Sequence, residues 1–304
     1  MHSIPDLYYF VTDIVLLCFP GNIRQDMELI DVKKVLHDKN PGLSRLVPGF
    51  LINYLRRLIH ENELNDFLRQ YGELKDDKFI EAGLRALNTK YTVAGAEKLP
   101  SEGRYIFVSN HPLGGLDGLV FIHELSKIYS KIKFPVNDIL LNIKNMDGIF
   151  LPVNKHGSQA REAARLIEEA YASDCQILYF PAGLCSRKKR EAIMDLKWQK
   201  SFISKAVAHR RDVIPAYFSG RNSGFFYNLA NLRKFLGIKA NIEMLWLPDE
   251  MFRQKDKKID LVFGGIIPWQ TFDKSKTPSE WADHVRAKTY SLASLTADIR
   301  YSKI

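Results

Sequence analysis

The sequence predicts an α/β protein, with a mixed, mainly parallel sheet flanked by helices and preceded by an N-terminal helical segment. Two patterns support this fold class. From Met27 to about Asn88, apolar residues recur at helical spacing, as in residues 48–59, where they lie beside a basic face. From Tyr91 onward, short apolar runs alternate with helical stretches. Strands separated by helices imply parallel pairing, with both faces of the sheet covered.

The individual elements follow from the same patterns in chain order. Helical periodicity continues through residues 64–71 and 79–87. The predicted strands lie at residues 105–108, 149–153, 176–180, 213–218, 242–247 and 259–267. Helices are predicted between them at residues 158–171, 200–209 and 225–235. Thr277 is expected to cap a final helix that begins near Glu280.

The change of pattern near residue 90 predicts a helical segment over 1–90 and an α/β domain over 91–304. Residues 1–26 have three interpretations. The apolar stretch 7–19 is too short to span a bilayer and lacks the basic start of a signal peptide, so it is a core helix or an interfacial anchor. Alternatively, residues 1–26 are an upstream extension and translation begins at Met27, where an amphipathic pattern starts.

Composition and charge restrict the class of partner. The 304 residues are 46% hydrophobic and 26% charged, as expected for a globular chain with a sizeable core. The net charge of +9 favours an anionic partner. Because no nucleic-acid module signature is present, an acidic membrane surface or carrier protein is favoured over nucleic acid. The scattered Cys18, Cys175 and Cys185 indicate a reducing, cytoplasmic environment without a disulfide framework or a metal site.

A histidine and a carboxylate follow the predicted strand 105–108. Residues 110–118 read Asn-His-Pro-Leu-Gly-Gly-Leu-Asp-Gly and lead into the next apolar run. The imidazole of His111 has an ordinary pKa near neutrality, and a carboxylate such as Asp117 can fix its tautomer and stabilise its protonated form. We predict that His111 is a general base for a substrate hydroxyl and that Asp117 orients it. A helix N-cap is the structural alternative for Asp117, and the two roles are compatible.

A second glycine-bearing turn follows the predicted strand 176–180. Residues 180–187 read Phe-Pro-Ala-Gly-Leu-Cys-Ser-Arg and present backbone N–H groups, with Ser186 and Arg187 as candidate anion ligands. Lys188 and its basic neighbours extend the turn. Ligands of open α/β sheets bind at the carboxyl ends of strands, so the two turns are expected to converge on one pocket. Residues 219–224 are predicted to be an ordinary loop.

Several other chemistries lack their motifs. The chain has no Gly-x-Ser-x-Gly elbow, no Walker A sequence, no Gly-x-Gly-x-x-Gly opening of a βα unit and no His-Glu-x-x-His. A base that needs neither a metal nor a covalent nucleophile is the chemistry that remains.

The ordered motifs resemble those of the glycerolipid (lysophospholipid) acyltransferase family, whose bacterial members acylate lysophosphatidic acid. That family has Asn-His-x4-Asp, Gly-x-x-Phe-Ile-x-Arg, Phe-Pro-Glu-Gly-Thr-x-Ser and Val-x-Pro. Here the corresponding blocks are 110–117, 148–154, 180–187 and 213–215, and the resemblance covers roughly residues 91–267. It implies that 91–304 is an acyltransferase domain with a catalytic His111–Asp117 dyad. It also implies a set of substrate-binding residues, namely Asn110, Gly114, Gly115, Asn154, Phe180, Pro181, Gly183, Ser186, Arg187 and Lys188.

Three departures from the family pattern bear on the acceptor. Five residues separate His111 from Asp117 instead of four, and Gly114 and Gly115 are expected to absorb the extra one. Ala182 and Leu184 replace the glutamate and threonine of the third block, and the arginine of the second block is replaced at or near residue 154. The altered pattern resembles a bacterial subgroup that O-acylates lyso-aminolipids, which are 3-hydroxyacyl amino acids such as lyso-ornithine or lyso-glycine lipid.

The resemblance thus implies transfer of a fatty acyl group from acyl carrier protein or acyl-CoA to a lysolipid hydroxyl, with no cofactor or metal. It further implies a peripheral or interfacially anchored enzyme on an anionic membrane, at the cytoplasmic face of the bacterial inner membrane. Three alternatives stay open on sequence alone. They are a lysophosphatidic acid acyltransferase, a hydrolase that uses the same base on water, and a non-catalytic lipid-binding scaffold.

Overall fold

A central sheet organises the computed structural model, which describes residues 29–39, 41–42, 47–136, 140–153, 158–190 and 192–296. Its strands are β1 (Lys90–Ala94), β2 (Tyr105–Ser109), β3 (Ile132–Val136), β4 (Phe150–Pro152), β5 (Gln176–Tyr179), β8 (Asp212–Phe218) and β9 (Lys258–Phe263). A separate antiparallel hairpin consists of β6 (Arg187–Lys189) and β7 (Ala192–Met194).

The strands of the sheet lie in the order β1-β9-β8-β2-β5-β3-β4. Strands β8, β2, β5, β3 and β4 pair in parallel, and β9 pairs antiparallel to β8 and parallel to β1. The predicted mixed, mainly parallel sheet is therefore confirmed. Because β2 lies in the middle of the sheet, its carboxyl end is flanked by the ends of β8 and β5.

Helices precede the sheet and cover both of its faces. Within the described residues they are α1 (Val32–Lys39), α2 (Gly49–Leu58), α3 (Glu61–Tyr71), α4 (Asp76–Ala86), α5 (Leu116–Ser126), α6 (Ser158–Ala172), α7 (Ser201–His209), α8 (Gly224–Phe235), α9 (Leu247–Phe252) and α10 (Pro278–Ser291). Short 3₁₀ helices lie at Ala96–Lys98, Leu140–Asn142, Lys144–Met146, Ile242–Trp246, Trp269–Thr271 and Leu292–Ser294. No helix of the described chain is both long and apolar enough to cross a membrane.

The alternating side chains of β2 divide the core into two layers. Phe107 lies in a cluster with Phe121 of α5 on one face of the sheet, and Ile106 lies in a second cluster with Trp198 and Phe202 on the other. All five residues of β2 are buried, as expected for a strand covered on both faces. A third cluster joins α1 and α2 to the 3₁₀ helix Ile242–Trp246. Residues 110–118 lie directly after the carboxyl end of this buried central strand.

The predicted strand at 242–247 is wrong. These residues form the 3₁₀ helix Ile242–Trp246 and the start of α9, where Pro248 occupies the first helical turn. A short apolar run cannot be distinguished from a helical segment by periodicity. Within this run, Glu243 is fully buried in ion pairs with two arginines. The arginines are distant in sequence or lie outside this run, so the apolar pattern of residues 242–247 does not indicate these contacts.

Other differences from the predicted elements are smaller. Strand β3 was not predicted because Pro135 lies inside it, and proline normally argues against an interior strand. Strand β1 has half-buried residues without a clear apolar run. Strand β9 ends at Phe263, although Ile267 still pairs with Val213 across the intervening glycines. The interpretations of residues 1–26 lie outside the described residues.

The predicted cap of the last helix is present. The Thr277 hydroxyl accepts a hydrogen bond from the Glu280 N–H, and the Glu280 carboxylate accepts one from the Thr277 N–H at 2.7 Å. This reciprocal pair is a capping box, which satisfies two otherwise unpaired N–H groups. It begins the helix that packs Trp281 and Val285 against the second core layer.

Thr277→Ala is expected to lower the free energy of unfolding by about 1 kcal/mol, because the capping acceptor is lost. Urea denaturation with an unchanged slope is the measurement. Ser291→Ala at the other end of α10 is the matched control, since the Ser291 hydroxyl bonds only its local Lys288 carbonyl among the described residues. Its effect should stay within about 0.5 kcal/mol. Equal losses in the two variants would contradict the capping account.

Candidate active site

Two turns meet at the carboxyl ends of β2 and β5. His111 follows β2 and Phe180 follows β5, and their rings stack with centroids 4.1 Å apart and planes 17° apart. The Ser186 N–H donates to the His111 carbonyl oxygen at 2.7 Å. The two turns are therefore in contact, as expected for turns at the same sheet edge, and a shared substrate pocket stays a prediction.

The imidazole of His111 contacts the carboxylate of Asp117. His111 Nδ1 lies 3.0 Å from Asp117 Oδ2, and the Asp117 side chain is fully buried in the first turn of α5. The same oxygen accepts the Leu113 N–H at 2.9 Å, which fixes the carboxylate against the turn. Asp117 is thus paired with the histidine ring as predicted, but the suggestion that it is the N-cap is wrong, because Gly115 is the N-cap and Asp117 is the second residue of α5.

A left-handed glycine accommodates the extra residue between the two groups. Gly114 has φ +79°, and a Cβ there would lie 2.7 Å from a methyl carbon of Leu247. Any other residue at this position would meet both backbone strain and a steric clash. Gly115, at φ −170°, has ordinary extended φ and precedes α5. Gly114 is the residue that lets the five-residue spacing bring the imidazole and carboxylate together.

The environment of His111 determines its protonation. Burial lowers the pKa of the imidazole, but the negative charge and hydrogen bond of Asp117, with the charge of Asp195, outweigh it, so the net pKa is raised above 6.5. A carboxylate accepts from Nδ1–H, and this leaves the lone pair of a neutral ring on Nε2. The side chain is 16% exposed, and no described residue forms a hydrogen bond with Nε2. Nε2 is therefore the nitrogen available to take a proton.

A second buried carboxylate fixes the backbone of His111. Asp195 Oδ1 accepts the His111 N–H at 3.1 Å and the Ser186 hydroxyl at 2.6 Å, and Oδ2 accepts the Trp198 Nε1–H at 2.8 Å. Burial raises the pKa of Asp195, against the effect of these donors. Sequence reasoning missed Asp195 because 84 residues separate it from His111. Its one local signal is a carboxylate between the apolar residues Met194 and Leu196.

Asn110 joins the ends of two strands. Its side-chain oxygen accepts the Phe218 N–H at 2.7 Å, and its side-chain nitrogen donates to the Phe218 carbonyl at 2.9 Å. The amide therefore pairs with the last residue of β8 as a backbone would. Asn110 was predicted to bind substrate, whereas the structure engages both ends of its amide in holding β2 beside β8.

Arg187 is buried in an ion-pair cluster, contrary to its predicted exposure to an anionic ligand. It is 5% exposed, and its guanidinium lies 2.8 Å from the fully buried Glu243, which also pairs with Arg233 at 2.8 Å. A second nitrogen of Arg187 donates to the Cys185 carbonyl at 2.6 Å. Because its donors are used inside the protein, Arg187 stabilises the second turn. Burial raises the pKa of the Cys185 thiol to about 11, so this cysteine is a protonated core residue.

The remaining predicted site residues divide by position. Pro181 is buried, and its carbonyl accepts the Gln199 N–H at 2.9 Å. Gly183 is exposed at φ +68°, and its N–H closes a turn onto the Phe180 carbonyl at 3.0 Å. Lys188 is half-buried on β6. Asn154 lies outside the described residues.

The described part of the chain contains no group of three or more histidine, cysteine, aspartate or glutamate side chains placed to hold a metal ion. The chemistry that can be derived from this site is that of a histidine base paired with a buried carboxylate. Such a pair at the ends of parallel strands defines a candidate site for proton transfer from a hydroxyl group.

Comparison with known proteins identifies the class of enzyme. A family model described as Acyltransferase matches residues 34–298, and the chain belongs to this family. The lyso-glycine lipid O-acyltransferase of Bacteroides thetaiotaomicron is 48% identical over 265 residues, covering 87% of this chain and 97% of the relative. The enzyme of the same name from Phocaeicola vulgatus is 45% identical, covering 87% and 95%. The predicted family and the O-acyltransferase class are confirmed, and both relatives belong by name to the predicted lyso-aminolipid subgroup.

Among solved structures, the 1-acyl-sn-glycerophosphate (LPA) acyltransferase PlsC from Thermotoga maritima aligns with 82% of this chain and 93% of its own. The TM-score is 0.45 and the sequence identity is 16%.

Asp195→Asn is expected to lower kcat about 10- to 100-fold, because an amide cannot accept all three hydrogen bonds and the His111 backbone shifts. The free energy of unfolding should fall by about 1–3 kcal/mol. Steady-state kinetics should show the loss in kcat with little change in KM. The control is Asp212→Asn, which also removes a carboxylate that accepts a backbone N–H, that of Trp269 at 2.9 Å. A kcat equal to that of this control would contradict a positioning role.

The rate should depend on pH through His111. The base acts unprotonated, so kcat/KM should rise with pH and level off above the raised pKa of His111, which lies above 6.5. Asp117→Asn removes the charge that raises this pKa, so the rising limb should move to lower pH. Loss of the correct tautomer should lower the plateau about 10³–10⁴-fold. A rising limb at the same pH in both proteins would show that Asp117 does not set the pKa.

Proposed function

We propose that this protein transfers a fatty acyl group from an acyl thioester to the hydroxyl of a lysolipid, with lyso-glycine lipid as the acceptor. The observation that carries the proposal is the 3.0 Å contact between His111 Nδ1 and the buried Asp117 carboxylate. It occurs in a chain 48% identical to a lyso-glycine lipid O-acyltransferase. The contact indicates a base that can deprotonate a hydroxyl group. The name of the relative indicates which lipid has that hydroxyl group.

The proposed reaction is a direct transfer with a single base. His111 Nε2 removes the proton from the acceptor hydroxyl as its oxygen attacks the thioester carbonyl carbon. Asp117 stabilises the imidazolium that results. The tetrahedral intermediate collapses, the carbon–sulfur bond breaks, and His111 returns the proton to the departing thiolate. The products are the ester and the free thiol, and no acyl-enzyme forms.

The tetrahedral intermediate requires donors for its oxyanion. The N–H groups of Gly114 and Gly115 lie just before α5, and no described residue accepts from them. The N–H of Gly183 is already used in a turn. Gly114 and Gly115 are therefore the better candidates, because free N–H groups at a helix start favour negative charge.

The second turn supports an acceptor without a phosphate group. Ala182 is buried and Leu184 is half-buried, in place of the carboxylate and hydroxyl of the related motif. Arg187 is engaged by Glu243. The turn therefore lacks the side chains that would hold a phosphate, and this agrees with the acceptor in the names of both relatives.

The donor and the location follow from the same chemistry. Acyl carrier protein and acyl-CoA both present a thioester and negative charge, which the net charge of +9 attracts. The acceptor is a membrane lipid, so the enzyme is proposed to act as a peripheral protein on an anionic membrane, at the cytoplasmic face of the bacterial inner membrane. Lys188 is proposed to help bind a charged group of the donor or acceptor.

Acyl transfer from a radiolabelled acyl thioester to lyso-glycine lipid should be measurable with the purified full chain, and lysophosphatidic acid should be a much poorer acceptor. His111→Ala should lower the rate at least about 10³-fold, because the base is lost. Thin-layer separation of the lipid products is the measurement, with both carrier protein and coenzyme A thioesters offered.

The matched control is His284→Ala on α10, a histidine outside the site that should leave the rate unchanged. Near-normal transfer by folded His111→Ala would contradict the mechanism. Faster acylation of lysophosphatidic acid would contradict the acceptor while leaving the class of reaction intact. Release of free fatty acid without an acceptor would indicate a hydrolase instead.

A further inference from the structure

Helix α8 has two apolar faces, of which one is buried and the other exposed. The buried face packs against the second turn of the site through Phe226 and Tyr227, which contact Cys185. The Arg187 guanidinium also lies over the Phe226 ring at 5.4 Å. These contacts place α8 directly against the second turn, residues 180–187, which is called the site turn below.

The opposite face of α8 is apolar, and over most of its length no other described residue covers it. Its apolar side chains recur at the spacing of one helical face, with one further residue at the tip of the helix. They are Phe225, the half-buried Leu229, Leu232 and Leu236, which is the C-cap residue after the helix, with Phe235 as the last helical residue. Phe235 is 87% exposed and Leu232 is 53% exposed. These five residues are called the docking face below.

The apolar surface continues beyond the start of α8. The Phe225 ring contacts Trp246 with centroids 5.5 Å apart. Trp246 in turn lines an apolar cleft of about 190 Å³ against α2. Tyr54 of α2 lines this cleft and is exposed, and Phe50 on the same helix is exposed as well. Aromatic side chains at a polar boundary are typical of proteins that bind at the membrane interface.

Cationic side chains lie at both ends of the docking face and on the neighbouring hairpin. Helix α8 contains no acidic residue. Exposed cations at its two ends are Arg221, Lys234 and Lys239. The β6–β7 hairpin lies beside α8, where Asn231 Nδ2 donates to the Lys188 carbonyl at 3.4 Å, and it adds the exposed Lys189 and Arg190. An apolar face with a basic border is complementary to a bilayer that contains anionic lipid.

We propose that the docking face of α8 binds an anionic lipid bilayer and holds the site turn close to it. One helix separates the docking face from Cys185 and Arg187, and an α-helix with its side chains is about 10–12 Å across. The inference rests on the proposed function in one respect, since it assumes that the acceptor is a membrane lipid. A bound enzyme would then meet its acceptor without releasing the lipid into water.

Sedimentation with vesicles tests this surface without relying on turnover. The full chain should bind vesicles of phosphatidylcholine and phosphatidylglycerol more tightly than vesicles of phosphatidylcholine alone. Leu232→Glu with Phe235→Glu should weaken binding at least about tenfold, because two apolar anchors are replaced by charge. Lys234→Gln with Lys239→Gln should weaken binding to the anionic vesicles about fivefold per lysine and leave the weak binding to neutral vesicles unchanged.

The matched control is Val207→Glu, which changes an exposed apolar residue on α7 and should bind like the wild type.

Transfer to lyso-glycine lipid in detergent micelles separates the two proposals. Absence of transfer by the wild type would overturn the proposed function, while vesicle binding would still report on the docking face. Three results would overturn the docking face itself. The first is that the wild type does not bind vesicles, and the second is that the Leu232/Phe235 variant binds them fully. The third is that this variant loses self-association or carrier-protein binding rather than vesicle binding.

Discussion

His111 lies between two buried carboxylates, and the rest of the site is arranged around that constraint. Asp117 holds the ring at 3.0 Å, and Asp195 holds the backbone N–H at 3.1 Å. A side chain fixed at both ends loses little further freedom when a substrate binds, which is how a positioned base gains its advantage. The left-handed conformation of Gly114 and the hydrogen bond from the Ser186 N–H to the His111 carbonyl stabilise this geometry.

Buried charge stabilises the second turn as well as the first. Arg187 and Arg233 surround Glu243, and all three side chains are nearly or fully buried. Removing one member of such a cluster leaves an uncompensated charge, which typically costs about 3–5 kcal/mol. The turn after β5 is thereby fixed in one conformation, with Phe180 against the histidine ring and α8 behind it. The opposite side of α8 is the docking face. One face of α8 therefore packs against the site turn, and the other is proposed to bind the bilayer.

The residues that could be predicted from sequence are those whose role is local. The buried runs of β2, β5 and β8 were recognisable because parallel strands are continuously apolar, and Thr277 was recognisable because a capping box has a fixed spacing. His111 and Asp117 were identified by their place after a strand. The contacts of polar residues whose partners are distant in sequence could not be predicted from local patterns.

Asn110 and Arg187 illustrate the limit. Each belongs to a motif associated with substrate, yet the folded chain uses Asn110 to join β2 to β8 and Arg187 to neutralise Glu243, 56 residues away. Asp195 shows the converse, since no motif marks it although it contacts the His111 backbone. Such contacts depend on which loops the sheet order brings together, and local periodicity contains no record of that order.

In the proposed mechanism, Asp117 leaves Nε2 of His111 free to act as the base. Nitrogen-15 NMR of the His111 side chain, recorded above its raised pKa, tests this directly by showing which ring nitrogen has the proton. We expect a proton on Nδ1 and none on Nε2, and we expect this preference to be lost in Asp117→Asn. A proton on Nε2 in the wild type, or the same tautomer in both proteins, would contradict it.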